Sequence, residues 1–516
     1  MKAFLMHRDE DFDVQQPSPW NVKELTQDLD LDVILHAMAG DDDFILEVAR
    51  KALVCATNND IETILYRHEA LKDCLRNEPF VEEMYQLVVN AIETTRKHTW
   101  GITGHYPGSM VYGATGLLES LVAMLRELRN SATVHANRFR SEAFTTMFKM
   151  LERELSEEYL AAIADHLVIS KFKKGVLMSS QLGEFNESTN FVLRKAADRK
   201  RNWFERLLRK GSPGHTFRLH ERDEAGARIV SEMRNRGISR VAVALAESAD
   251  HVLSFFRMLR TELAFYVACI HLHQSLVSKQ MTTCFPVPAE AGTRRLRFAG
   301  LYDVSLSLRM TDKVRANTTD ADGKDLIIIT GANQGGKSSF LRSVGVAQLM
   351  MQCGMFVGAE NFEGEVSPAL LTHYKREEDA TMESGKFDEE LSRMNQIIER
   401  IRPNVIILFN ESFAATNGRE GSEIARQIVS ALLEKQIRIL YVTHLYEFAK
   451  GFFDTGRQDA LFLRAEREPD GRRTFQLRAA GPLDTSYGED LYREVFETGD
   501  ASSLAEPSQT LPVNGD

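Results

Sequence analysis

A chain of 516 residues has room for about two to four domains with substantial cores, and a composition of 43% hydrophobic and 27% charged residues excludes disorder for its bulk. A formal charge of −11 argues against a protein coated in nucleic acid, though it leaves room for a local basic groove. Five cysteines without a CxxC pair argue against a disulfide framework or a zinc cluster and fit a reducing cytoplasm; no run of about 18 apolar residues or early leader pattern predicts a membrane span or signal peptide.

The first 20 residues read as an irregular arm ending at QPSPW. After GDDD, the residues Ile45, Val48, Ala49, Ala52 and Leu53 recur at helical spacing, with aspartates placed to cap the helix N-terminus. A second helix is predicted over NNDIETILYRHEALKDCL, with Ile61, Ile64 and Leu65 on one face. Between roughly 165 and 222 the pattern changes to short β-like pieces, LVISKF, GVLMSS and HTFRL, around RKAADRKRNWFERLLRK. Residues 194–210 hold eight basic side chains against two acids, among them Arg194, Lys195, Arg199, Lys200 and Arg201. Such a segment suits DNA phosphates, although a charge run by itself more often marks a solvated helix face. KGSPGH then ends the predicted helix.

Further on, Leu245, Ala249, Val252, Phe256, Leu259, Leu263, Tyr266 and Ile270 alternate steps of four and three, a heptad seam that predicts a long helix packed on another. CFPVPAEAGTRRLRF, at 284–298, reads as a domain boundary. LIIITGANQGGKSSFLRS then has the order strand, glycine loop, helix, with Gly331 and Gly336–Lys337–Ser338 spaced as in a phosphate-binding loop. Backbone amides of such a loop wrap phosphate oxygens, Lys337 carries charge to the β and γ phosphates, and Ser338 offers its hydroxyl to Mg²⁺. Phe340, Val344, Ala347 and Met351 predict the apolar stripe of the helix that follows.

Leu391, Met394, Ile398 and Ile401 predict a further amphipathic helix before the strand NVIILFNE, and IRILYVTH predicts another strand. Both end in polar residues, Asn410–Glu411 and His444, at the carboxyl edge where doubly wound sheets bind ligands. Lys337, Glu411 and His444 are accordingly the candidate catalytic residues.

TGANQGGKSSFLRSVGVAQLMMQCGMFV, FNESFAATN, EGSEIARQIV, YVTHLYEF and TSYGEDL resemble, in that order, the ABC-like ATPase domain of MutS-type DNA mismatch-repair proteins. The resemblance implies an all-α core and lever domain followed by an α/β P-loop ATPase domain. The expected division is an arm over 1–20, a helical domain over 21–290 with a basic clamp-like insertion near 165–222, the ATPase domain over 291–498, and a disordered tail over 499–516. It further implies ATP and Mg²⁺, with Gly331, Asn333, Gly335, Gly336, Lys337, Ser338 and Ser339 around the nucleotide and Ser338, Asn410 and Glu411 around the metal. Implied as partners are distorted double-stranded DNA, a second copy of the chain and a repair protein, with no membrane.

In that dimer the partner's signature segment, here MESGKFDEEL with Ser384 and Gly385, completes each nucleotide site, although the serine–threonine pair of the family pattern is missing. The mismatch-reading and connector domains of MutS find no room before core-like helices that begin near residue 21. The third departure is Asn410, where the family places the Asp that holds Mg²⁺; the retained Glu411 predicts a slow ATPase. Two functions follow as expectations: ATP-gated clamping on mismatched or distorted DNA, or a nucleotide-gated module that grips a protein without touching DNA.

Overall fold

The computed structural model describes residues 1–102, 106–173, 175–185, 187–194, 217–376, 385–468 and 472–483, with only the backbone of 96–102. Two compact units emerge, one formed by Met1–Phe12 and Arg76–Leu263 and the other by Asp13–Leu75 and Ala264–Asp516. Each unit is discontinuous in sequence, unlike the sequential division expected at 20/21 and 290/291.

The first unit is built from helices Glu78–Ile102, Pro107–His135, Glu142–Glu154 and Glu157–Ser170, together with the greater part of Glu224–Ser278. That last helix runs unbroken for 55 residues and contains the whole heptad seam; Ala249, Phe256 and Leu259 of the seam are buried. Residues 1–12 are irregular, as expected, and are tied down: buried Glu262 accepts hydrogen bonds from the backbone amides of Leu5 (2.6 Å) and Phe12 (3.2 Å). Among the described residues one stretch, Pro107–Arg138, is long and apolar enough to cross a membrane, yet half of its most apolar window is buried inside the protein. Leu117, Leu121, Leu125 and Leu128 are its core-facing side chains.

Of the β-like pieces, GVLMSS alone contributes a strand. Met178–Leu182 pairs antiparallel with Ser188–Leu193. LVIS instead completes helix Glu157–Ser170, whose Ser156 hydroxyl caps the Tyr159 amide, and residues 217–219 form no strand. A cap and a preceding helical run outweigh the β preference of two branched residues. Residues 195–216, which include most of the basic run and KGSPGH, lie outside the described residues.

The second unit centres on a six-stranded sheet in the order Arg473–Ala479, Ala460–Arg467, Leu326–Thr330, Arg438–Val442, Ile406–Asn410, Leu370–Tyr374. All neighbouring pairs are parallel except the first. Strands Leu326–Thr330, Arg438–Val442 and Ile406–Asn410 are almost wholly buried, which explains apolar runs such as LIII and IILF. A second sheet orders Val287–Ala289, Asn361–Glu365, Leu296–Leu301 and Asn317–Asp320. Asp42 caps helix Asp43–Val54 as expected, accepting from the Phe44 and Ile45 amides.

Two predicted faces are corrected. Ile64 is buried as expected, but Leu65 is 47% exposed, and helix Ile61–Arg76 buries Arg67, His68 and Leu71 beside Ile64. In helix Lys386–Arg400 the buried residues are Glu390, Met394 and Ile397, whereas Leu391 and Ile398 are exposed and Ile401 follows the last turn. Met394 keeps its expected place, while Glu390 and Ile397 stand on the buried face in place of Leu391 and Ile398, for a reason found at the neighbouring site.

Candidate active site

Strand Leu326–Thr330 runs into a loop that closes on helix Lys337–Cys353. Gly331 has a φ of +112°, and a Cβ there would stand 2.9 Å from the Ala465 backbone nitrogen, so backbone and neighbour both exclude a side chain. Gly336, at φ +88°, turns the loop into the helix, whose free N-terminal amides form an anion site. Gly335 is buried beneath the loop, Asn333 is exposed on it, and Ser338 and Ser339 belong to the first helical turn.

Lys337 is only 4% exposed and folds back along the loop, its Nζ donating to the carbonyls of Gly331 (3.0 Å) and Ala332 (2.8 Å). Burial pushes its ammonium down to about 8 against the opposing pull of Glu411. Ser338 Oγ donates to Asn410 Oδ1 at 2.9 Å, joining the helix start to the end of strand Ile406–Asn410. One residue on, Glu411 adopts φ +55° and its Oε1 accepts from His444 Nε2 at 2.9 Å. The His444 hydrogen bond holds the Glu411 carboxyl below the usual glutamate range, with His444, Lys337 and Lys375 adding positive potential.

Ser338 and Asn410 supply hard oxygen donors that suit Mg²⁺, and Glu411 adjoins them. Among the described residues no group of three or more His, Cys, Asp or Glu side chains could hold a metal. The donor set therefore fits a cation that is also held by phosphate oxygens. Beside the loop lies a cavity of about 290 Å³, lined by Tyr302, Asn317, Ser339, Phe340 and Phe475 among others.

The sequence that builds this site has relatives in known families. The family described as MutS domain V matches residues 327–493, and the MutS2 N-terminal domain matches residues 59–279. The chain is a MutS-related protein. Similar proteins include MutS protein homolog 4 of Mus musculus, 23% identical over 56% of this chain and 29% of that protein. DNA mismatch repair protein MutS of Streptococcus mutans is 28% identical over 47% of the chain and 30% of its own length, and that of Thermus aquaticus 28% identical over 32% and 20%. The matched part thus spans less than a third of these three relatives.

Of the residues singled out in this MutS-related sequence, Gly331, Gly335, Gly336, Lys337, Ser338, Asn410, Glu411 and His444 come together at one sheet edge. Gly385 directly precedes helix Lys386–Arg400 and is exposed; Ser384 lies outside the described residues. Arg194 lies in the first unit, its Nε on Ser179 Oγ at 3.0 Å, while Lys195, Arg199, Lys200 and Arg201 lie outside the described residues.

Sequence reasoning missed Phe475 and Asn317, which are far apart in the chain. Here Asn317 Oδ1 accepts from the Leu477 amide (2.8 Å), and Phe475 takes φ +58°. It also missed Lys375, whose backbone amide donates to the Asn410 carbonyl (2.9 Å), although a cation one residue beyond a parallel strand end was a usable signal.

The lowered Lys337 ammonium gives a proton-linked binding test. The unliganded site holds this proton less tightly than the unfolded chain does, so stability from this group rises between about 8 and 10.5. Anionic phosphates favour the charged form, so nucleotide binding above pH 8 should take up a proton and weaken as pH climbs. Calorimetry in buffers of different ionisation enthalpy should detect the uptake in wild type and lose it in Lys337→Met.

Proposed function

We propose that this chain is an ATP-driven DNA-binding protein of the mismatch-repair type, a cytoplasmic dimer that couples ATP binding and slow hydrolysis to clamping on mismatched or distorted duplex. The reading is carried by the convergence of the phosphate loop, the Ser338–Asn410 pair and the Glu411–His444 pair on one edge of a parallel sheet. The similarity to proteins named for DNA mismatch repair supports the choice of nucleic acid.

The loop amides and Lys337 receive the triphosphate, and the cavity faced by Phe340 and Phe475 receives the base. Ser338 and Asn410 would hold Mg²⁺, which when bound supplies positive charge against the phosphates. Glu411, oriented by His444, accepts a proton from the attacking water. Asn410 keeps an oxygen donor without the negative charge, which weakens the hold on the metal and slows turnover. The 55-residue helix supports the idea of a rigid element that carries movement between sites.

Gel shifts with perfect, mismatched and branched duplexes, with and without ATP across a salt series, test the reading. Binding should fall steeply with salt and respond to ATP, and Lys337→Ala should abolish the response. No shift with any duplex, beside measurable ATP binding, would replace the DNA reading with a nucleotide-gated protein-interaction module. Asn410→Asp should tighten Mg²⁺ binding by about 10- to 100-fold; unchanged affinity, read by metal titration of the nucleotide complex, would place the metal elsewhere.

A further inference from the structure

Glu411 and Phe413 both take left-handed backbone, at φ +55° and +61°, and neither is glycine. Such residues persist only where their surroundings hold them. Here the holding groups are buried side chains of the neighbouring strands and of helix Lys386–Arg400. Ser412 Oγ lies 2.8 Å from His373 Nδ1 and 2.5 Å from the His373 carbonyl, and the Ser412 carbonyl accepts from Tyr441 Oη at 2.8 Å. Glu390 Oε2 accepts from the Phe413 amide at 3.0 Å, and the Glu390 carbonyl accepts from His373 Nε2 at 3.0 Å. The His373 ring stacks on Phe413, with centroids 5.3 Å apart.

Burial pushes His373 down to about 4, so the ring is neutral at physiological pH. Its single proton sits on Nε2, because the Glu390 carbonyl can only accept; the Ser412 hydroxyl donates to the His373 carbonyl, so its oxygen stands beside the unprotonated Nδ1. Ser, His and Glu together invite comparison with a hydrolytic triad. That reading fails on access: His373, Ser412 and Glu390 are at most 3% exposed, and the Glu390 carboxylate meets a backbone amide rather than the imidazole.

We propose that Glu390 and His373 are positioning residues for Glu411, clamping Ser412 and Phe413 so that the preceding carboxylate is held at its working angle. The clamp explains why Glu390 is buried on a helix whose apolar pattern predicted another face. Glu390 stands little more than one turn from the start of helix Lys386–Arg400, so a displacement of that turn reaches the Phe413 amide, two residues from Glu411, through a single hydrogen bond. The inference rests on the reading of this site as an ATPase.

The test compares wild-type chain with Glu390→Ala, Glu390→Gln and Ser412→Ala by ATP turnover, fluorescent-nucleotide titration and thermal melting. Glu390→Ala should lower kcat by about 10- to 100-fold with nucleotide Kd within about twofold of wild type, as expected for a misplaced catalytic group. Glu390→Gln should recover most of kcat, since its amide oxygen accepts from the same Phe413 amide; Ser412→Ala should repeat the selective loss of kcat and covers the case of an unstable Glu390→Ala. Unchanged kcat in Glu390→Ala and Ser412→Ala, equal impairment of the Ala and Gln variants at 390, or parallel loss of binding and turnover would overturn the clamp. Absence of turnover in wild type would overturn the ATPase reading itself, and turnover unaffected by these variants would overturn only the clamp.

Discussion

Glu411→Gln is expected to bind ATP as wild type does and to hydrolyse it about 10²- to 10⁴-fold more slowly, the range that a positioned general base contributes. The substitution keeps size and an oxygen acceptor for His444 Nε2, so the 2.9 Å contact survives while the proton acceptor is lost. The backbone at 411 is fixed independently of the side chain, because the Glu411 amide donates to the Val442 carbonyl at 2.9 Å. Single-turnover phosphate release with saturating nucleotide separates the chemical step from binding. Retention of the wild-type rate would show that another group accepts the proton.

The electrostatics set the pH dependence of that step. The His444 hydrogen bond, with support from Lys337 and Lys375, depresses Glu411, so the carboxylate stays ionised through the ordinary glutamate range near 4.5. The acid limb of the turnover profile should therefore lie below pH 4.5. A depressed base is also a weaker one, which adds to the slowing expected from Asn410.

How far the sequence foretold this site depended on how local each constraint is. The phosphate loop was legible in full, because glycines at 331 and 336 and the Lys337–Ser338 pair answer to a turn within one short segment. Buried parallel strands were legible for a similar reason, since apolar runs such as IILF admit few alternatives. Glu390 was not, because a carboxylate inside an amphipathic pattern reads as solvent-facing until its amide partner, 23 residues later, is known. Phe475 and Asn317 meet at the cavity across 158 residues, and no periodicity links them. The first 75 residues illustrate the same limit at a larger scale: their helices read as the opening of a helical domain, yet residues 13–75 belong with the sheet that carries the site.

Arg438→Ala should destabilise the second unit by about 3–5 kcal/mol, the cost typical of orphaning one partner of a buried ion pair. Arg438 is 1% exposed and opens the strand that leads to His444. Its Nη1 donates to the Arg295 carbonyl (3.0 Å) and Glu365 Oε1 (3.3 Å), and its Nη2 to the carbonyls of Arg294 (3.2 Å) and Ala321 (2.8 Å). Truncation would leave fully buried Glu365 with the more distant Arg294 guanidinium at 3.6 Å and the Arg294 amide at 2.8 Å. Glu365 lies in the four-stranded sheet and Arg438 in the six-stranded one, so this pair rivets the two sheets together. Replacing both residues, as Arg438→Met with Glu365→Gln, removes the two charges together and should cost less than the sum of the single changes. Denaturant unfolding of the four proteins in that cycle measures the coupling. Nucleotide binding at low temperature should persist in each folded variant, because neither residue touches the phosphate loop; an additive cycle would mean that the carbonyl contacts, rather than the ion pair, hold the sheets.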